Sequence, residues 1–134
     1  AEYLLSIDSD IIVPSDILNE LLKYADQNTI IGAVISNIPN KEVDGKIACN
    51  FMCDGSDGTL IHPTEYPVVG VMDVAVTGAV YLIPRNVIQT GVRYGSSAYG
   101  EDIAFCKNAK ENNFNIKICF DIKCDHRMID LSGI

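Results

Sequence analysis

A short apolar run that ends in acid and leads into a helix sets the frame for this chain. Tyr3–Ile7 reads as a strand buried on both faces, and Ile17, Leu18, Leu21, Leu22 and Ala25 recur at the spacing of an amphipathic helix. Ser15 is placed to cap that helix, which is expected to begin at Asp16. A second continuous apolar stretch of strand length, 29–38, follows. Strand, helix and strand in that order make a βαβ unit with a right-handed crossover. The expected class is therefore α/β, with a mixed, mainly parallel sheet flanked by helices.

The acids at the end of the first run are Asp8 and Asp10. On a strand, alternate side chains share a face, so the two point the same way with Ser9 turned away between them. Like charges aimed into one small space call for a proton or a cation between them. The carboxyl end of a buried strand is also where open α/β sheets bind ligands. Oxygen ligands with no cysteine or histidine beside them suit Mg²⁺ or Mn²⁺ better than zinc. Taken alone, the three letters D-S-D read as a polar loop after a strand, and it is their context that points to a site.

With 134 residues the chain is one domain, long enough to bury roughly two-thirds of its unfolded surface. Its 18 acidic and 10 basic residues leave a net charge of −8, which disfavours nucleic acid and anionic membrane as partners. Five cysteines without a C-x-x-C pair suggest neither a disulfide framework nor a zinc ribbon, and a reducing, cytoplasmic setting fits them. No apolar stretch approaches the ~20 residues of a membrane span. Ala1 opens directly on what reads as a central strand, so the chain is expected to be an excised part of something longer.

Beyond residue 38, turn residues crowd the segment 39–67 and predict a hairpin or a surface excursion, with His62 as an exposed or turn-packing histidine. The apolar passage 68–84 reads as one strand entered through a bend, with Gly78 marking a bulge or a close approach by a ligand. A glycine-rich loop, 91–100, carries tyrosines on which a sugar ring could stack, Tyr99 among them, and reads either as a lid or as a plain surface loop. Glu101 and Asp102 then open a helix whose apolar face is Phe105, Cys106 and Ala109 and which ends near Asn112 and Asn113. The helix dipole stabilises acids in that first turn whatever their role. From Asn115 to Cys124, isoleucines and Phe120 alternate with Lys117, Cys119, Asp121 and Lys123 as in a half-exposed strand, and His126 follows at once.

The stretch Y-L-L-S-I-D-S-D resembles the D-x-D segment of glycosyltransferases with the GT-A fold, especially those of the family 2 type. The stretch G-E-D-I-A-F-C-K-N-A-K-E-N-N-F-N-I likewise resembles their E-D helix. V-T-G-A followed by P-R-N, and the late C-D-H, fall in the family's order as well. The resemblance covers essentially the whole chain and implies the acceptor-side half of a Rossmann-like domain, without the N-terminal half that holds the nucleotide. It implies Asp10, and with it Asp8 and His126, as ligands of Mn²⁺ or Mg²⁺ on the donor diphosphate. Asp8 is alternatively implied as a contact to the ribose. Asp102 is implied as the general base for an acceptor hydroxyl, Glu101 as its helper in placing the acceptor, and Thr77 and Gly78 as neighbours of the sugar.

The expected function is thus metal-dependent, inverting transfer of a sugar from a nucleotide diphosphate sugar to a hydroxyl on a sugar, lipid or protein. The isolated chain is expected to be inactive. A nucleotidyltransferase on a similar sheet, or an inactive sugar- or nucleotide-binding module, are the alternatives. The exposed edge left beside Tyr3–Ile7 is expected to pair with a second copy in a homodimer.

Overall fold

A computed structural model describes residues 2–35, 42–43, 46–47, 49–63, 65–92 and 101–126. Its strands are β1 (Tyr3–Ile7), β2 (Ile11–Ile12), β3 (Thr29–Ile35), β4 (Glu42–Val43), β5 (Lys46–Ile47), β6 (Phe51–Asp54), β7 (Leu60–Ile61), β8 (Val71–Asp73), β9 (Val76–Thr77), β10 (Val80–Pro84) and β11 (Asn115–His126). The helices are α1 (Ile17–Leu22), α2 (Arg85–Gln89) and α3 (Glu101–Glu111).

The main sheet runs β1-β10-β3-β11-β2, with β8 also paired to β11. This corrects the expected α/β class with a mainly parallel, helix-flanked, Rossmann-like sheet: the described residues hold more strand than helix, in mixed and mostly antiparallel sheets. Among the described residues only β3 and β11 pair in parallel, whereas β1–β10, β10–β3, β11–β2 and β11–β8 are antiparallel. The reason lies in β10, an apolar run buried on both faces that takes a strand neighbour on each edge. It inserts between β1 and β3, which run the same way but never touch as a ladder. β1 is left at the sheet's edge, with Leu4 and Ile7 exposed.

Both faces of the sheet are covered. Ile30 and Val34 of β3 pack with Phe105, Cys106 and Ala109 of α3 and with Phe51 of β6. Ile31, Ala33 and Ile35, on the opposite face, pack with Ile17 and Leu21 of α1. The α3 stripe anticipated from spacing is the one that buries, whereas of the stripe anticipated for α1 only Ile17 and Leu21 are buried, Leu18 and Leu22 are exposed, and the helix ends before Ala25. The helix ends differ in detail: α1 has Asp16 rather than Ser15 as its N-cap, with no side-chain cap bond. α3 closes as anticipated, in a Schellman motif: Asn113 takes a left-handed φ of 67°, Phe114 N–H donates to Ala109 C=O, and Asn113 N–H donates to Lys110 C=O.

The passage 68–84, expected as one strand, is three: β8, β9 and β10 pair with β11, β6 and β1/β3 respectively. β11 also departs from the half-exposed expectation, because Cys119 is fully buried on the α1 side. Its register to β3 slips between Cys119 and Lys123. The residues pushed out there are held in place. Asp121 accepts the N–H of Gly70 at 2.7 Å and the hydroxyl of Tyr24, next to α1. That hydroxyl bond pushes the phenol up to about 12, and the two donors hold the Asp121 carboxyl below its ordinary value.

Gly32 of β3 faces Thr77 of β9 so closely that a Cβ would stand 2.1 Å from Thr77 Oγ1. Gly32→Ala is expected to lower stability by about 1–3 kcal/mol through overpacking, and Thr77→Ala to recover part of that loss. Urea unfolding of the single and double variants measures both, and an unaffected Gly32→Ala would refute the close packing of β3 against β9.

Candidate functional site

The chain leaves strand geometry at Asp8, where its carbonyl accepts the N–H of Ile11 at 3.1 Å and closes a turn. Alternation therefore does not place Asp8 and Asp10. The tertiary pairings do. Asp8 N–H donates to the carbonyl of Ala79 at 2.9 Å, which ties the first acid to the turn before β10. Two residues on, β2 pairs with the end of β11, Ile11 opposite His126, and His126 Nε2 comes within 2.9 Å of Asp10 Oδ2.

The turn at Ala79 is unusual. Its φ is 71°, and Val80 N–H donates to Gly78 C=O at 3.0 Å, the bond pattern of a left-handed γ-turn. A non-glycine residue in this region is strained, and such strain concentrates where function or packing holds it. Here it turns the Ala79 carbonyl to Asp8 and the Ala79 N–H to the carboxylate of Asp102. Tyr81 hydroxyl donates to Asp102 Oδ1 at 3.1 Å. On the far side, the amide of Asn50 donates to the carbonyls of Ala33 (2.7 Å) and Gly78 (3.3 Å) and accepts from Ile35 N–H at 3.0 Å, fixing this turn to the end of β3.

These elements frame a groove of about 250 Å³ whose polar lining is Cys49, Asn50, His62, Glu101 and Asp102. Gly78 forms part of the wall, and a Cβ there would lie 2.4 Å from Asp102 Oδ2, so a larger residue would push the carboxylate aside. Of the residues anticipated from sequence, Glu101, Asp102 and Gly78 meet in this groove, and Asp8 lies within electrostatic reach of both acids. Asp10 and His126 form a separate pair beside Asp8. Thr77 does not join them: its side chain is fully buried against Gly32, and its hydroxyl finds no hydrogen-bond partner among the described residues. Tyr99 lies outside the described residues. The reasoning from sequence missed His62, Asn50 and Tyr81. His62 Nδ1 stands 3.6 Å from the Cys49 thiol across a hairpin, a juxtaposition with no local signal. Tyr81 is hidden inside an apolar run, where its phenol is the one cue.

Crowding of acids leaves its mark on their protonation. Burial, and after it the charge of Glu101, raises the Asp102 carboxyl above its ordinary value, and the Ala79 N–H partly offsets this. Asp8 is raised by partial burial and then by Asp102, Asp10 and Glu101, although the residue as a whole remains exposed. Burial also pushes the Cys49 thiol up, so it stays protonated at neutral pH.

The donor set bears on the anticipated cation. Among the described residues no three histidine, cysteine or acidic side chains converge tightly enough to hold a metal ion. Asp10 and His126 offer a carboxylate and an imidazole side by side, whereas the Asp8 carboxylate is not drawn in with them. The anticipated trio of Asp8, Asp10 and His126 is therefore not gathered into one group among the described residues.

A carboxyl raised in the folded state binds its proton more tightly there than in the unfolded chain. The stability it contributes is full below the ordinary value of 3.8 and is lost as pH rises through the raised folded value. Asp102→Asn should therefore be more stable than the wild type at pH 7 and lose less stability between acid and neutral pH. Urea unfolding across that range tests this, and parallel pH curves for the two proteins would show that the carboxyl is not held up in the fold.

No family model matches this sequence, and no curated protein matches it significantly. Among solved structures, the chain is similar to the one titled "Crystal Structure of A197 from STIV", with a TM-score of 0.65 and 16% identity. The match covers 96% of this chain but 59% of that one, so the chain spans about three-fifths of its solved neighbour's length. The likeness is one of fold.

Proposed function

We propose that the groove is the acceptor site of a glycosyltransferase that moves a sugar from a nucleotide diphosphate sugar to a hydroxyl. The observation that carries this reading is the placement of Asp102: a half-buried carboxylate at the start of α3, anchored from below and open to a groove. Such a group can take a proton from an alcohol that is itself held in place. The acceptor hydroxyl loses its proton to Asp102 as its oxygen bonds to the anomeric carbon. The bond from that carbon to the diphosphate oxygen breaks on the opposite face, and its electron pair leaves with the diphosphate, inverting the centre.

Within this scheme Glu101 offers hydrogen bonds to further acceptor hydroxyls, while Asn50, whose two amide N–H groups are taken by the carbonyls of Ala33 and Gly78, shapes the wall. Met52, Val76 and Ile103 supply apolar wall for the face of a sugar ring. Asp10 and His126 would hold Mn²⁺ or Mg²⁺. When bound, the cation would supply charge to stabilise the leaving diphosphate. Asp8, beside Asp10 and Asp102, lies between the two halves of the reaction and would face the donor.

Two measurements test the reading. Calorimetric titration with Mn²⁺ is expected to show weak binding that Asp10→Ala abolishes, and equal binding by both proteins would dismiss the pair as a metal site. In transfer assays of the full-length protein over a panel of nucleotide diphosphate sugars, followed by release of nucleoside diphosphate, Asp102→Asn should reduce turnover by roughly a hundredfold or more while Mn²⁺ binding persists. Unchanged turnover would remove Asp102 from the chemistry.

A further inference from the structure

Tyr81 is a fully buried residue of β10 whose ring packs against Phe105 of α3, with centroids 5.9 Å apart. A buried phenol needs a partner for its hydroxyl. It donates to the Asp102 carboxylate at Oδ1, 3.1 Å away. A second donor, the Ala79 N–H, reaches the same carboxylate because of the left-handed turn at Ala79. The other oxygen, Oδ2, rests over the bare Cα of Gly78, in the space that any Cβ would take. Three independent features therefore converge on one side chain: a hydroxyl from the core, an amide delivered by strained backbone, and a missing side chain beneath.

We propose that Tyr81 and the Ala79 amide clamp the Asp102 carboxylate in one rotamer, anchoring Oδ1 on the core side and presenting Oδ2 over Gly78 to the groove. Tyr81 is then a positioning residue. It touches no acceptor and acts only through Asp102. The inference builds on the reading of Asp102 as the base, and it adds which residue orients it and which oxygen faces the acceptor. The physical reason for such a device is preorganisation: a carboxylate in the first turn of a surface helix would otherwise sample several rotamers, and each would have to be abandoned before proton transfer.

The test uses isotope-labelled protein without any substrate. Three-bond couplings about χ1 of Asp102 should report a single rotamer in the wild type. In Tyr81→Phe, which keeps the ring and removes only the hydroxyl, the same couplings should shift to averaged values while the remainder of the spectrum is retained. A purely structural role for Tyr81 would lower the melting temperature and leave those couplings in place, and unchanged couplings in a folded Tyr81→Phe protein overturn the proposal. Should that variant not fold, Asp102→Ala provides the second reading: the Ala79 amide proton should shift upfield on losing its carboxylate acceptor, and an unmoved resonance is equally fatal. Because neither measurement involves turnover, a confirmed clamp in a protein that transfers no sugar would retire the transfer reading and leave the clamp standing.

Discussion

The structure depends on β11 being paired along both edges. β3 runs parallel to it on one side, while β8 and β2 lie antiparallel on the other. Both of its faces are covered as well, Ile118 on the α3 side and Cys119 on the α1 side, so both are inaccessible. It also has to reconcile three partners of different length, and the slip in register after Cys119 is where it does so. The extra residues are not left loose, because Asp121 and Phe120 are bonded to Gly70 and Asp121 also to Tyr24. Past the slip, the strand continues far enough to pair His126 with Ile11, and this alone brings the imidazole to Asp10.

The second constraint is the turn at Ala79. A left-handed alanine costs of order 1–3 kcal/mol, so the surroundings must hold it there. They do so through Asp8, Asp102 and the Asn50 clamp on Gly78. The same contacts draw acids from β1 and α3 toward one place. Partial burial, and after it mutual repulsion, disfavour their charged state, and the Ala79 N–H partly offsets this for Asp102. A site assembled this way costs stability, as functional sites commonly do.

Local chemistry was legible wherever it acts over a single turn or strand. The stripe Phe105, Cys106 and Ala109 buried as its spacing required, and Asn113 ended the helix because asparagine tolerates the left-handed cap. Glu101 and Asp102 were found as a first-turn acid pair, and they line the groove. Thr77 was misplaced for a reason equally local: its neighbour Gly78 lines the groove, but consecutive strand residues face opposite ways, and the hydroxyl turned into the sheet against Gly32.

By itself the sequence determined that β1, β3 and β11 are strands and that α1 and α3 are helices, that Asp102 lies in the first turn of α3, and that acids concentrate near the end of β1, since these follow from periodicity and chain-local charge. Tertiary structure alone decided the direction of the sheet, because an apolar run is compatible with parallel and antiparallel neighbours alike and only the insertion of β10 between β1 and β3 chose. It also decided the site's membership. Tyr81, Asn50 and His62 reach Asp102, Gly78 and Cys49 across separations of 21, 28 and 13 residues, and no pattern in the chain encodes a hydrogen bond or contact that only long-range packing brings within reach.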